Sequence, residues 1–268
     1  MTSEDEAAAL VAALCAAAGW PRPSGFERFD HGMSGDLTVR IDGAAPAFAK
    51  IGNPARRISR EMLAREIATL RWLGGRAGAP RLLWAGAAEG RPAMLAEALP
   101  GTALHDLAPE RAKAGLIAAV EALRVLHALP IDDCPLDQRL AVKLSEAWRR
   151  VEAGEVARSE FDPDHSGRSP EDLWQAMLAE RPSAEDLVFT HGDPCLPNFI
   201  VSDAGPAGVV DLGLAGIADR YQDLALLVRS SAHNFPGVDI RALLMEHYPL
   251  EVLDEQKLSF YRTLDEFY

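Results

Sequence analysis

Phe189-Thr190-His191-Gly192-Asp193-Pro194-Cys195-Leu196-Pro197-Asn198-Phe199-Ile200 begins and ends in apolar, strand-like runs and carries one Asp and one Asn five positions apart. A second apolar run follows, Val209-Val210-Asp211-Leu212-Gly213. The two runs read as a short hairpin with a polar loop at its mouth. A single histidine such as His191 is usually a core or turn residue, and a single Asn such as Asn198 a turn cap. The joint pattern, flanked by strand signals on both sides, is much harder to explain as structure alone.

The pattern H-G-D-x-x-x-x-N, then a hydrophobic residue and D-x-G, has the spacing of a kinase catalytic loop, with Gly192 where the kinase motif has Arg. Phosphoryl transfer asks a protein mainly for positioning and for neutralising charge. One carboxylate has to orient the attacking hydroxyl and accept its proton, which assigns Asp193 as the base. One neutral oxygen and one carboxylate have to hold magnesium against the phosphates, which assigns Asn198 and Asp211. Magnesium favours hard oxygen ligands and keeps several waters, so few protein ligands suffice.

The bulk composition narrows the partners. At 268 residues the chain is long enough for two lobes with a sizeable core. Forty acidic against 27 basic side chains give a net charge of −13, which argues against nucleic acid and anionic membranes as partners. The surplus suits a cationic small molecule; an acidic surface kept for solubility is the plainer reading. Cys15, Cys134 and Cys195 are scattered, with no C-x-x-C, so they read as reduced thiols of a cytoplasmic protein. The Ala-rich run from Ala7 to Ala18 follows three acids instead of basic residues, so it does not read as a signal peptide. Ser3 and Glu6 form a capping-box pattern that opens a helix ending near Gly19.

From Phe26 to Ile51 the signals are short strands and turns, with His31 to Asp36 as a small-residue loop whose N–H groups could approach phosphate. Lys50, between apolar neighbours, reads as an edge or snorkelling lysine, or as the lysine that pairs with nucleotide phosphates. Residues 57–73 are helical, stopped by Gly74-Gly75, and Glu66 falls on their apolar face. A carboxylate there needs a cation, and Lys50 is the candidate. Two more strands, near Arg81–Trp84 and Pro92–Glu97, close a small α+β lobe over residues 1–97. The break at Ala98-Leu99-Pro100-Gly101 reads as a hinge, where backbone groups of Glu97 and Ala98 could bond an adenine edge. Residues 98–268 are mostly helical, with helices expected at 110–129, 136–153, 170–179, near 238–247 and at 254–266, and another opening at Asp219. Residues 155–170 form an acidic connector or a cation-binding lid.

With these residues in hand the chain resembles the aminoglycoside phosphotransferases, most of all the 3′-phosphotransferases. The likeness runs nearly the whole length and is densest in Thr190 to Asn198, in Ala218-Asp219-Arg220-Tyr221-Gln222-Asp223-Leu224-Ala225, and in Phe260 to Tyr268. It implies an α+β, protein-kinase-like two-lobed fold that uses ATP, sometimes GTP, with magnesium, and an O-phosphorylated antibiotic as product. It gives Asp193 the role of base, Asn198 and Asp211 the metal, and Lys50 the pairing with Glu66. It puts Ser34 in the loop over the phosphates and Phe48 in stacking contact with adenine. Glu160, Arg229, Asp265, Glu266 and the carboxylate end of Tyr268 match the surface that meets the drug's ammonium groups.

Two positions depart from the family pattern. Leu214 stands where an Arg usually follows the magnesium aspartate, and His233-Asn234 replaces an acidic pair. Streptomycin phosphorylated at its 3″-hydroxyl, another small hydroxylated metabolite, and a nucleotide-binding pseudokinase remain as alternatives.

Overall fold

Period-two alternation governs the two strands Leu37–Asp42 and Ala47–Ile51. In the computed structural model, which describes residues 3–29, 35–202 and 206–268 (the Glu160 side chain excepted), two compact units form: residues 1–101 with 208–214, and residues 102–207 with 215–268.

In the first unit, helix α1 (Glu4–Ala18) starts at Ser3, whose hydroxyl accepts the Glu6 N–H, and stops at a left-handed Gly19. Glu6 does not complete the capping box; its carboxylate takes Arg91 at 2.8 Å instead. Strands β1 (Gly25–Phe29), β2 (Leu37–Asp42), β3 (Ala47–Ile51), β4 (Leu82–Ala88) and β5 (Arg91–Glu97) make one antiparallel sheet in the order β1-β2-β3-β5-β4. Leu37, Val39 and Ile41 of β2, Ala47, Ala49 and Ile51 of β3, and Ala93 and Leu95 of β5 form one core with Leu10, Val11 and Leu14 of α1. Alternation then sends Phe48 and Lys50 to the opposite face. Lys50 is therefore on the middle strand of five, not at an edge as a lone strand lysine suggests. Helix α2 (Arg57–Leu73) spans the residues expected of it and ends at left-handed Gly74.

The second unit begins with the two-residue strand β6 (Thr102–Ala103), followed by α3 (Pro109–His127), α4 (Leu140–Glu152) and α5 (Pro170–Ala179). Helix α4 starts four residues later than its sequence suggests. Asp137 forms a parallel bridge with Ile217, and the Gln138 N–H donates to the Ile217 carbonyl, so this stretch is held extended. Strands β7 (Leu187–Thr190) and β8 (Phe199–Val201) flank the His191–Asn198 loop. The chain then revisits the first unit, where β9 (Gly208–Val209) donates its Val209 N–H to the Gly78 carbonyl at 3.1 Å. Strand β10 (Gly216–Asp219) pairs antiparallel with β7, and α6 (Arg220–Asn234), α7 (Ile240–His247) and α8 (Glu255–Asp265) follow. Asp219 caps α6 through the Tyr221 N–H, as its sequence position predicts, and Tyr221 to Val228 are all buried. Among the described residues no helix is long and apolar enough to cross a membrane.

Candidate active site

The loop between β7 and β8 is built around one left-handed residue. Gly192 has φ = 89°, a conformation that a Cβ disfavours, which explains why glycine stands where the kinase motif carries Arg. The turn aims the His191 and Gly192 N–H groups at a single carboxylate, Asp223 of α6, at 2.7 and 2.9 Å. Gln222 adds a bond from its side-chain amide to the Gly192 carbonyl at 3.3 Å. Asp193 follows, its N–H turned to His191 Nδ1 at 3.3 Å. A single 3-10 turn, Leu196–Asn198, brings the Asn198 amide back so that Nδ2 donates to the Asp193 carbonyl at 2.9 Å and to its Oδ2 at 3.1 Å. With its donor end spent on Asp193, Asn198 has its amide oxygen turned the other way, the end that can ligate a hard cation.

Asp223 is fully buried, and sequence reading passed over it as one more residue of α6. Besides the two loop N–H groups it meets His127 Nε2 at 2.8 Å; His127 Nδ1 lies 2.6 Å from the Tyr248 hydroxyl, to which Arg220 donates at 3.2 Å. Burial alone would push this carboxyl up. The His127 hydrogen bond and charge, the charge of His191 and the Gly192 N–H outweigh it and hold the group below its ordinary value. The signal was available: an Asp beside Leu224 on a buried helix face needs partners, the argument that found Lys50 for Glu66.

In the first unit, Lys50 Nζ lies 2.7 Å from Glu66 Oε2 and 2.7 Å from Asp211 Oδ1. Burial would make the ammonium more acidic, but the charges of Asp211 and then Glu66 win and leave it more basic than a free lysine. Glu66 is raised as well: burial and the nearby Asp211 charge push it up, and Lys50 and the Leu212 N–H only partly offset this. Asp211 has φ = 61°, an uncommon left-handed conformation for a residue with a side chain. Gly213 packs against α2 so closely that a Cβ would meet the Met62 carbonyl at 3.3 Å. Phe48, on the Lys50 face of β3, is half-buried with its ring 5.3 Å from that of Phe29. The Glu97 N–H donates to the Arg81 carbonyl at 2.9 Å, so this part of the expected adenine edge is already used within the sheet. Ser34 lies outside the described residues.

The residues expected to meet the acceptor divide into two groups. Arg229 and Asp265 form an ion pair at 2.5 Å, and the Cys195 thiol feels the charges of Asp193, Asp265 and Arg229 together, so these gather around the loop. Burial first, and the Asp193 carboxylate next, keep that thiol protonated. Glu266 instead accepts the Asp162 N–H and contacts His165 Nδ1 at 2.9 Å. Tyr268 is anchored as well, its hydroxyl donating to the Lys143 carbonyl at 2.7 Å and its ring 4.2 Å below the Lys143 ammonium. Glu160 stands in a 3-10 turn, Arg158–Glu160, with its side chain outside the described set. Asn234, in place of an acid, donates to the Ser230 carbonyl at 2.8 Å and helps close α6. Nothing in the structure explains Leu214. Among the described residues no three His, Cys, Asp or Glu side chains cluster as a ready-made metal site.

Comparison with known proteins agrees along most of the chain. A curated aminoglycoside 3′-phosphotransferase of Niallia circulans is 38% identical over 240 residues, 88% of this chain and 90% of that protein. The crystal structure of an aminoglycoside-3′-phosphotransferase of type VIII superimposes with a TM-score of 0.82 at 31% identity, covering 97% of this chain and 99% of the other. Aminoglycoside phosphotransferase APH(3″)-Id from Streptomyces rimosus, in complex with ADP and streptomycin, matches with a TM-score of 0.77 at 25% identity over 97% of each chain. The family model described as the phosphotransferase enzyme family matches residues 25–255, and the chain belongs to that family, as a kinase-fold enzyme that phosphorylates a hydroxyl group.

Proposed function

We propose that this enzyme transfers the terminal phosphoryl group of ATP, or of GTP, to the 3′-hydroxyl of an aminoglycoside antibiotic and so confers resistance in the cytoplasm. The observation that carries the reading is the Asp193–Asn198 arrangement, a carboxylate whose position is fixed by the residue that would ligate the metal. The 38% identity to a curated 3′-phosphotransferase supports the choice of acceptor and of position.

In this reading Asp193 orients the 3′-hydroxyl and takes its proton as the oxygen attacks phosphorus. Lys50 holds nucleotide phosphates, and Glu66 keeps the ammonium in place. Phe48 stacks on the adenine, and the Glu97 carbonyl and Ala98 backbone bond the base, since the Glu97 N–H is committed elsewhere. Asn198, through its amide oxygen, and Asp211 would hold magnesium, which neutralises charge developing on the phosphates. One carboxylate and one amide oxygen suit a cation that keeps water and phosphate as its other ligands. On the acceptor side, the net charge of −13 suits a polycation, and Asp265, beside Arg229, joins Asp193 as a carboxylate near Cys195. Individual exposed ion pairs are worth only about 0.2–1 kcal/mol, so recognition needs several together.

A second reading, transfer to the 3″-hydroxyl of streptomycin, draws on the Streptomyces rimosus enzyme. A coupled ADP-release assay with kanamycin, neomycin and streptomycin in parallel separates the two. Turnover with kanamycin and neomycin, a phosphate mapped to the 3′ position by NMR, and a loss of roughly 10²–10⁴ in Asp193→Ala are expected. Streptomycin as the sole acceptor would move the product to 3″. Undiminished turnover in Asp193→Ala would remove Asp193 as the base.

A further inference from the structure

The start of α2 carries an arginine with no role in the contacts described so far. Arg56 immediately precedes the helix, Arg57 opens it, and Arg60 lies one turn on; no acid stands in the first turn and no side chain caps it. A helix N-terminus favours negative side chains, so helix stability does not account for these cations. Two of them are engaged locally: Arg57 pairs with Glu61 at 2.7 Å, and Arg60 donates to the Pro54 carbonyl at 2.6 Å. Arg56 goes elsewhere. Its side chain lies over Gly35, where a Cβ would meet Nη1 at 2.9 Å and Cδ at 3.2 Å. Gly35 has φ = 74°, so glycine serves both the left-handed backbone and the space that the guanidinium fills.

The surroundings hold this arginine in place. Asp36 Oδ1 accepts the Asn53 N–H at 3.2 Å and also the Ser59 hydroxyl, whose oxygen accepts the Asn53 N–H at 2.7 Å. The Arg56 N–H donates to the Asn53 carbonyl at 3.1 Å. The residues leading into β2 and those leading into α2 are thus tied together around a buried Ser59.

Strand register points to what meets Arg56. Across the β2–β3 ladder Phe48 faces Arg40, Lys50 faces Thr38 and Ile51 faces Leu37. The direction from Phe48 past Lys50 therefore leads off the sheet toward Asp36 and Gly35. Three residues of chain take Thr38 to Gly35, a reach of no more than about 11 Å. With adenine at Phe48 and phosphates at Lys50, the last phosphate of the row is the one that arrives at Gly35. Lys50 is already matched there by two carboxylates at 2.7 Å, and the segment after Asp211 brings Leu214 instead of a cation. We propose that Arg56 binds the terminal phosphoryl group of the nucleotide across Gly35 and so makes the enzyme favour a triphosphate over a diphosphate, a role that rests on the nucleotide placement given above. After transfer ADP no longer makes this contact, which favours its departure.

Direct binding separates this role from a structural one. Isothermal titration calorimetry with ADP and with the non-hydrolysable β,γ-imido analogue of ATP, both with magnesium and without acceptor, gives the ratio of the two affinities. Arg56→Ala should weaken the analogue about tenfold, the lower end for a charge-assisted hydrogen bond, and ADP by less than about twofold. Arg56→Lys should recover part of the loss, since it keeps the charge without the planar fork. Arg57→Ala removes a neighbouring cation and should leave the ratio unchanged. Arg56 is exposed, so a Tm within about 2 °C of the wild type is expected and shows that the variant folds. Equal weakening of both ligands in Arg56→Ala would reduce Arg56 to a support of the backbone around Gly35 and overturn the proposal. Unchanged affinity for the analogue, or an equal effect of Arg57→Ala, would overturn it too. A wild-type protein that binds neither ligand would discard the nucleotide reading itself. Lost discrimination in Arg56→Ala, in a protein that phosphorylates no aminoglycoside, would keep Arg56 in its role and discard the acceptor reading instead.

Discussion

Replacing Asp223 by Asn tests whether the catalytic loop is held from beneath by one carboxylate. The carboxylate receives three groups: the His191 and Gly192 N–H on different oxygens, and His127 Nε2 on the same oxygen as His191. Asn has one acceptor oxygen. If that oxygen serves Gly192, the new NH2 faces the His191 N–H, while His127 adapts by switching tautomer. If it serves His191, the NH2 faces the Gly192 N–H. Either way one buried loop donor is orphaned, at about 1–3 kcal/mol, and the surviving bonds lose their charge assistance, at roughly 1 kcal/mol more. The total, about 2–4 kcal/mol, should lower Tm by roughly 4–7 °C for a chain of this size. Turnover should fall about 10–100-fold, since the orphaned donor adjoins Asp193.

Thermal unfolding of both proteins across pH gives the decisive form of that experiment. The folded pKa of Asp223 is depressed, so its stabilisation is complete above the unfolded value and is lost as pH falls through the folded one. The Tm gap between the wild type and Asp223→Asn should therefore still be open at pH 5 and be lost only below about pH 4. A gap that closes between pH 7 and pH 5 would mean that burial controls this acid and that the loop donors do not. A gap of less than about 1 °C at pH 7 would refute the anchor itself.

Lys50→Met leaves Glu66 buried without its cation, so a loss of about 3–5 kcal/mol in unfolding free energy and a marked rise in nucleotide KM are expected by denaturation and steady-state kinetics. Gly216→Ala should destabilise by roughly 1–3 kcal/mol in urea melts, because a Cβ there would meet the Leu136 carbonyl at 2.9 Å, and backbone cannot swing aside as a side chain can. Chelating magnesium should abolish turnover while leaving Tm unchanged, since no fold contact described above depends on a metal; a falling Tm would reveal a structural cation.

Local rules were legible wherever both signal and partner lay close in the chain. Gly74 stops α2 where its sequence says so, and α5 covers the residues expected of it. Glu66 could be matched to Lys50 because a charged residue on an apolar stripe demands a counter-charge. Legibility failed where pairing spans long separations. Leu136 to Arg139 have helix-compatible side chains, and only the bridge to Ile217 keeps them extended. Asp223 hides in the same way: its partners at His127 and His191 come from α3 and from the loop after β7, and nothing adjacent announces them. Glu266 was read for its charge, whereas its burial against Asp162 and His165 is a tertiary fact.

The return of residues 208–214 to the first unit has a consequence for how the protein is made. As the chain leaves the ribosome, everything up to residue 101 is available long before Asp211 exists. Roughly a hundred residues separate them, on the order of ten seconds of synthesis. Through that interval Lys50 has Glu66 alone, and the Gly78 carbonyl has yet to receive the Val209 N–H. The nascent first unit is thus an unfinished binding module, completed only after most of the second has been translated. A fragment ending at residue 101 would inherit the same defect permanently, so the two units cannot be separated by one cut without taking the aspartate away from its lysine.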